Sequence, residues 1–379
     1  MSLAERPRRR LSGRKKALFL ALLALPSLLL AECSARLVGP ADPAPITAAH
    51  PYLRHVRTPG ATQELVHPQT GEAYRFTVDA YGFRCGSLVP PGQPKPANAY
   101  RIFFVGASTT ENVAVDDAQS FPWLVETQLN AKLGDEVAVR GVNTGIAGNT
   151  IADSFSLIAH RLLALEPDLV VVLHAINDMR MSASARFDPS HYADRLAPPK
   201  VRFSDLLAQH CKLYRLAERA KQRLRTRSRE QKYKDRARET PLSEGVDPAR
   251  GLPYFQRYLG LIAAVCAEAG VPLALMTQPS LYKPELSQDE LAALWMGYVN
   301  HGELNFSPEA LRQGMVAYND ELRRFAGARG LLLIDLERVV PKDLEHLYDD
   351  CHYTVKGNAV IADEITRVLL ERGLPRPKK

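Results

Sequence analysis

The sequence predicts an α/β fold, a parallel sheet covered by helices on both faces. Three observations predict it. From residue 101 onward, short apolar runs alternate with stretches of helical period. One run, Leu169–Leu173 (LVVVL), is apolar throughout, as a strand buried on both faces requires. Small and polar residues gather directly after the runs, at the strand ends where parallel sheets place their chemistry.

The elements follow in order. Ile102–Val105 reads as a strand, Phe121–Leu133 as a helix and Val137–Val142 as a second strand. Ile151–Leu165 is helical, with Asp153 in its first turn, and leads into the strand Leu169–Leu173. The alternation then lapses. Residues 180–250 hold no convincing strand, and Lys212–Arg238 reads as a solvated basic helix. Helix Tyr254–Ala269, strand Val271–Met276, helix Pro308–Ala328, strand Leu331–Leu336 and helix Val355–Leu370 complete the pattern. Upstream, Gly39–Pro51 is a Pro- and Ala-rich linker, and residues 52–98 form a small β-rich lead-in that includes Ala73–Val78. Pro90–Asn98 is a stiff spacer.

Composition bounds the function. Of 379 residues, 46% are hydrophobic and 24% charged, which excludes a mostly disordered chain and a polytopic membrane protein. The net charge of +7 is local: residues 1–16 carry seven basic groups against Glu5, or +6, which leaves +1 for the rest. Within that rest, Lys212–Arg238 carries twelve basic against three acidic residues. Nucleic-acid binding is therefore not expected. The uncharged run Ala17–Ala31 follows the first basic cluster directly, the order of an exported protein. As a helix it spans about 22 Å, short of the ~30 Å hydrocarbon core. It suits a signal-peptide core, or a short anchor extended through Glu32–Val38. Either outcome places the remainder outside the cytoplasm, where Cys85 and Cys351 can pair or remain two unrelated buried thiols.

Four clusters after predicted strands carry reactive groups: Gly106-Ala107-Ser108-Thr109-Thr110, Asn143 to Thr150, His174-Ala175-Ile176-Asn177-Asp178, and Asp349-Asp350-Cys351-His352. A serine hydroxyl attacks an acyl carbon poorly unless a base takes its proton, and His352 can be that base for Ser108. A carboxylate fixes the imidazole tautomer, and Asp349 lies three residues earlier. The N–H groups of Ser108 and Gly148 and the Asn177 amide can hold the resulting oxyanion. Each cluster alone has a plain structural explanation: Gly145 and Gly148 make a turn, and Asp349 or Asp350 caps the last helix. Their order is what favours the catalytic reading. His174 reads as a packing residue beside the site, Glu111 as a solvated loop carboxylate and Asp178 as a brace for Asn177. Trp123 and Trp295 can stack on sugar rings, but core packing is the default expectation for both. Cys351 is superfluous as a nucleophile beside a complete serine set.

The four blocks resemble those of the SGNH hydrolases, a branch of the GDSL esterase/lipase superfamily, over roughly residues 100–372. The resemblance implies a flavodoxin-like three-layer α/β/α domain. It assigns Ser108 as nucleophile, His352 and Asp349 as its partners, and Ser108, Gly148 and Asn177 as oxyanion donors. Ala107 stands where the family has Asp, and Ala175 where it has Gly. Neither position supplies a reacting group. The resemblance implies no metal and no cofactor, and the sequence has no HExxH or GxxxxGK[ST] motif.

The expected organisation is a basic cytoplasmic segment at 1–16, a signal anchor or transmembrane helix at 17–38, and a linker and β-rich segment at 39–98. The catalytic domain follows at 99–375, with a basic helical insertion at about 180–250. The expected activity is ester hydrolysis or O-acyl transfer, of acetyl for preference, on an acylated envelope glycan or similar small molecule. The expected location is the cell envelope, anchored with the catalytic domain on the extracytoplasmic side of the inner membrane or exported after signal cleavage. Residues 212–238 are available to anionic lipid or polysaccharide. The rival readings are a lipase or thioesterase for longer chains and a catalytically silent glycan-binding or assembly module.

Overall fold

Strand Ala99–Gly106 runs through a five-stranded parallel sheet and is buried along its whole length. The computed structural model describes residues 12–39, 46–48, 50, 53–54, 56–67, 70–86, 88–183, 187, 203–218, 220–221, 247–299 and 304–376. Across the sheet the strands lie in the order Leu332–Ile334, Leu273–Met276, Leu169–Leu173, Ala99–Gly106, Ala138–Asn143. In chain order this is 5-4-3-1-2, the flavodoxin-like arrangement seen from its far edge. The order reverses between Ala99–Gly106 and Leu169–Leu173, so the crevice beyond their carboxyl ends is the predicted ligand site.

Side-chain alternation along the first strand builds two cores. Ile102 and Phe104 face helices Phe121–Leu133 and Val355–Glu371 through Phe121, Val125, Leu129, Ile361 and Ile365. Phe103 and Val105 face helices Leu252–Glu268 and Pro308–Arg329 through Phe255, Leu259, Ile262, Met315 and Leu322. Both faces are covered, which explains why the strand reads as a continuous apolar run.

The expected elements appear at nearly the expected positions, with local differences. Thr150 and Asp153 cap the start of the helix at Ile151 reciprocally. That helix is α only through Leu157, then winds into a π turn (Ile158–Leu162) and a 3₁₀ turn (Leu163–Leu165). Short helices at Ser108–Glu111, Ile176–Ser182 and Gln288–Ala293 lie below the length at which periodicity registers.

The N-terminal region and part of the insertion form a separate compact unit. Helix Gly13–Val38 is continuous over 26 residues and contains Pro26. Among the described residues, no helix is long and apolar enough to cross a membrane. The signal anchor or transmembrane helix expected at 17–38 gains no support from the described residues, and the helix there continues into the charged Glu32 and Arg36. The Glu32 carboxylate accepts the backbone N–H groups of Lys212 and Leu213 and the Cys211 thiol. Residues 212–218 are helical. Lys212, expected in solvent, is buried and donates from Nζ to the Gly39 carbonyl. Most of the stretch 219–238 lies outside the described residues, as do residues 1–11 and most of the linker.

The lead-in belongs with the catalytic unit. It contains the hairpin of Thr62–Val66 with Ala73–Thr77 and a small core of Ala61, Phe76 and Val78. Arg84 fastens it to the sheet. Its N–H donates to the carbonyl of Asn143, and its guanidinium donates to the carbonyls of Glu111, Asn112 and Val115 and to Asp117. The Arg84 side chain is fully buried. Arg84→Met leaves three carbonyls and a carboxylate without their donor, and we expect a loss of about 3–5 kcal/mol. Urea unfolding of the variant checks this; a loss below about 1 kcal/mol contradicts the clamp.

Candidate active site

The first strand ends at Gly106, and the chain turns at once into the helix Ser108–Glu111, which presents a half-buried Ser108 at the sheet's carboxyl edge. The last cluster arrives from the far end of the chain. His352 Nε2 lies 2.8 Å from Ser108 Oγ, although 244 residues separate them in sequence. His352 Nδ1 lies 2.8 Å from Asp349 Oδ2. The contact needed for proton transfer is thus already made.

Asp349 is buried and fully engaged. Its Oδ1 accepts the N–H groups of Cys351 and His352, closing its own loop, and its Oδ2 accepts Nε1–H of Trp295 at 2.9 Å. Burial pushes this carboxyl up, but the His352 charge and these hydrogen bonds outweigh it and hold the group below its ordinary value. Burial likewise opposes charge on His352, and Asp349 overrides it, raising the imidazole well above 6.5. The Tyr348 ring stacks on His352 with centroids 5.6 Å apart. The capping role considered for Asp349 or Asp350 belongs instead to Thr354, whose side chain accepts the Gly357 N–H. Asp350 accepts the Tyr282 hydroxyl and the Trp295 and Met296 N–H groups. Burial and the neighbouring Asp349 charge push it up to about 6.

The second cluster folds back on the first. The N–H of Thr144 donates to Phe104 and that of Ile146 to Gly106. Gly145 has no room for a side chain: a Cβ there would lie 2.2 Å from the Glu111 nitrogen. Gly148 has φ +81°, so a glycine is needed for its backbone conformation. The Asn177 amide donates to the Asn149 carbonyl at 3.0 Å, joining the second and third clusters. Asp178, expected to brace Asn177, accepts the N–H of Ile151, the residue after the second cluster.

Three residues behave differently from their sequence reading. Glu111 is fully buried rather than solvated, because the lead-in supplies Arg57 as its ion-pair partner. Burial raises its carboxyl, opposed by Arg57 and by the Ala147 N–H, which donates to Oε2 at 2.9 Å. Trp295, read as a core residue, is half-buried and holds Asp349. Trp123 is 38% exposed on its helix rather than in the core. Sequence reasoning missed Arg57, Arg84 and Trp295. No local motif marks them, since each acts on residues 27 or more positions away.

A second serine–histidine pair lies deeper. Ser154 Oγ and His174 Nε2 are 2.7 Å apart, with His174 Nδ1 3.5 Å from Asp178. Ser154 is wholly inaccessible, and burial lowers His174 to about 4, which makes it a poor proton acceptor. This pair packs the site rather than reacting, in line with the packing role expected of His174. Among the described residues, one group of possible metal ligands comes together, Asp349, Cys351 and His352, with ligand atoms within 4.8 Å. His352 Nδ1 is already committed to Asp349, and burial raises the Cys351 thiol away from the thiolate a metal requires. Cys85 and Cys351 are separate, buried free thiols.

Among solved structures, the chain is similar to LAE5, an alpha/beta hydrolase enzyme from the metagenome of Lake Arreo, at 16% identity and TM-score 0.40, covering 71% of this chain and 94% of that one. It is also similar to Axe2, an acetylxylan esterase from Geobacillus stearothermophilus, at 17% identity and TM-score 0.39, covering 71% and 93%. No curated protein matches. A family model matches residues 104–360, from the first strand of the sheet into its closing helix. The chain belongs to the GDSL-like lipase/acylhydrolase family.

Proposed function

We propose that this protein is a serine esterase or O-acyl transferase working through Ser108, His352 and Asp349. The single observation that carries the proposal is the unbroken chain of contacts from Ser108 Oγ through the imidazole to Asp349. Ser108 Oγ attacks the acyl carbon while its proton passes to His352 Nε2. The carbonyl oxygen becomes an oxyanion held by the N–H groups of Ser108 and Gly148 and by the second N–H of the Asn177 amide. Collapse expels the alcohol oxygen, which takes the proton from His352. Water, or an acceptor hydroxyl, then attacks the acyl-serine, gives its proton to His352 and releases an acid or a new ester; Ser108 recovers its proton. Asp349 keeps Nδ1 protonated and stabilises the imidazolium throughout.

For the substrate we infer a short acyl ester, acetyl for preference, on an envelope glycan outside the cytoplasm. The support is the basic cluster followed by the apolar run Ala17–Ala31, which has the order of an export segment. The full chain is expected to cleave p-nitrophenyl acetate faster than the palmitoyl ester; a preference for palmitoyl selects the lipase reading. Ser108→Ala is expected to lower kcat by ~10³-fold or more, and unchanged turnover removes Ser108 as nucleophile.

The pH profile tests the other two groups. His352 must be neutral to accept the proton, and Asp349 raises it, so kcat/KM should climb with pH through a limb above 6.5. Asp349→Asn removes the raising charge and leaves burial, which lowers the imidazole. The limb should then move to lower pH while kcat falls on the order of 10³-fold. Ring-nitrogen NMR of His352 should follow the same shift; an unmoved imidazole contradicts the pairing.

A further inference from the structure

The family match begins at residue 104, yet of two arginines upstream of it one reaches the loop that carries Gly148 and the other reaches Glu111, which holds that loop. Arg57 pairs with Glu111 through Nε at 2.6 Å and through its terminal nitrogen, and Arg57 Nη1 donates to Thr47 Oγ1. Glu111 is wholly buried, and its other oxygen, Oε2, accepts the Ala147 N–H. Arg54 Nη1 donates to the Gly148 carbonyl at 2.5 Å. These contacts bracket one peptide group. The peptide before Ala147–Gly148 is held by its N–H, and the peptide after it by its C=O. The plane between them carries the Gly148 N–H, and Gly148 at φ +81° has no side chain to restrict it. An oxyanion donor works only if it points where charge will develop, and a displacement of about 1 Å can cost 10²-fold in rate.

We infer that the β-rich lead-in is part of the catalytic apparatus, with Arg57, acting through Glu111, and Arg54 as positioning residues that aim the Gly148 N–H at the oxyanion. This rests on the oxyanion role proposed above for Gly148. It extends the working unit beyond the family domain. The buried carboxylate of Glu111 is also explained: it couples an arginine in the lead-in to an amide in the loop.

The test compares p-nitrophenyl acetate with its thionoester, in which sulfur replaces the carbonyl oxygen. Sulfur is a larger and weaker hydrogen-bond acceptor and gains little from well-aimed donors. Glu111→Gln and Arg54→Gln in the full chain should lower kcat/KM for the oxygen ester on the order of 10-fold while leaving the thionoester within about 2-fold, so that the ratio of the two collapses. Circular dichroism confirms folding. Should Glu111→Gln fail to fold, the exposed Arg54 carries the test alone. Parallel losses on both esters, or no loss in either folded variant, overturn the inference and leave the serine mechanism standing. Wild-type chain inactive on both esters overturns the mechanism and the inference with it.

Discussion

A carboxylate placed in the protein interior must be neutralised or fully hydrogen-bonded, and Asp349 is the group on which this site depends. Four N–H donors converge on it: two from its own loop, one from His352 and one from Trp295. Each contact has a structural consequence. The loop donors fix the turn that aims His352 at Ser108. The ring contact selects the tautomer that leaves Nε2 free to accept. The Trp295 contact ties a segment 54 residues away to the Asp349 carboxylate. Asp350 sits next to it, equally buried, but without a cation; it accepts only neutral donors and is pushed up to about 6. Two adjacent aspartates thus differ in charge behaviour because one faces an imidazole and the other faces a phenol and two amides.

The same reasoning separates the two serine–histidine pairs. Both have hydrogen-bonded geometry, and both have an aspartate nearby. Ser154 and His174 lie in the interior, where an imidazolium has no adequate support. His352 is supported by Asp349 and meets a half-buried serine. Proximity creates a pair; the surrounding charge decides whether it can move a proton.

The strands and the candidate site residues were legible for related physical reasons. Strands covered on both faces leave near-continuous apolar runs, Ser108, Gly148 and Asn177 follow three of them closely, and Asp349–His352 stand just before the closing helix. The supports were not legible. Arg57 reaches Glu111 from 54 positions away, and Arg84 spans 27 to 33 positions with each of its side-chain bonds. Such pairings depend on how the lead-in docks, and no local spacing encodes that. Glu111 reads as an ordinary loop acid until Arg57 is known to lie beside it. The π turn at Ile158–Leu162 is equally silent, since one extra residue in a turn leaves the apolar rhythm almost intact.

The Glu32 carboxylate closes the first turn of the 212–218 helix by accepting two of its backbone N–H groups. Segments some 180 positions apart therefore share one cap. A protein engineer who trims the chain just before residue 40 for easier handling also takes from the insertion the anion at its own helix start, and its behaviour in such a fragment would reflect the cut as much as the native molecule.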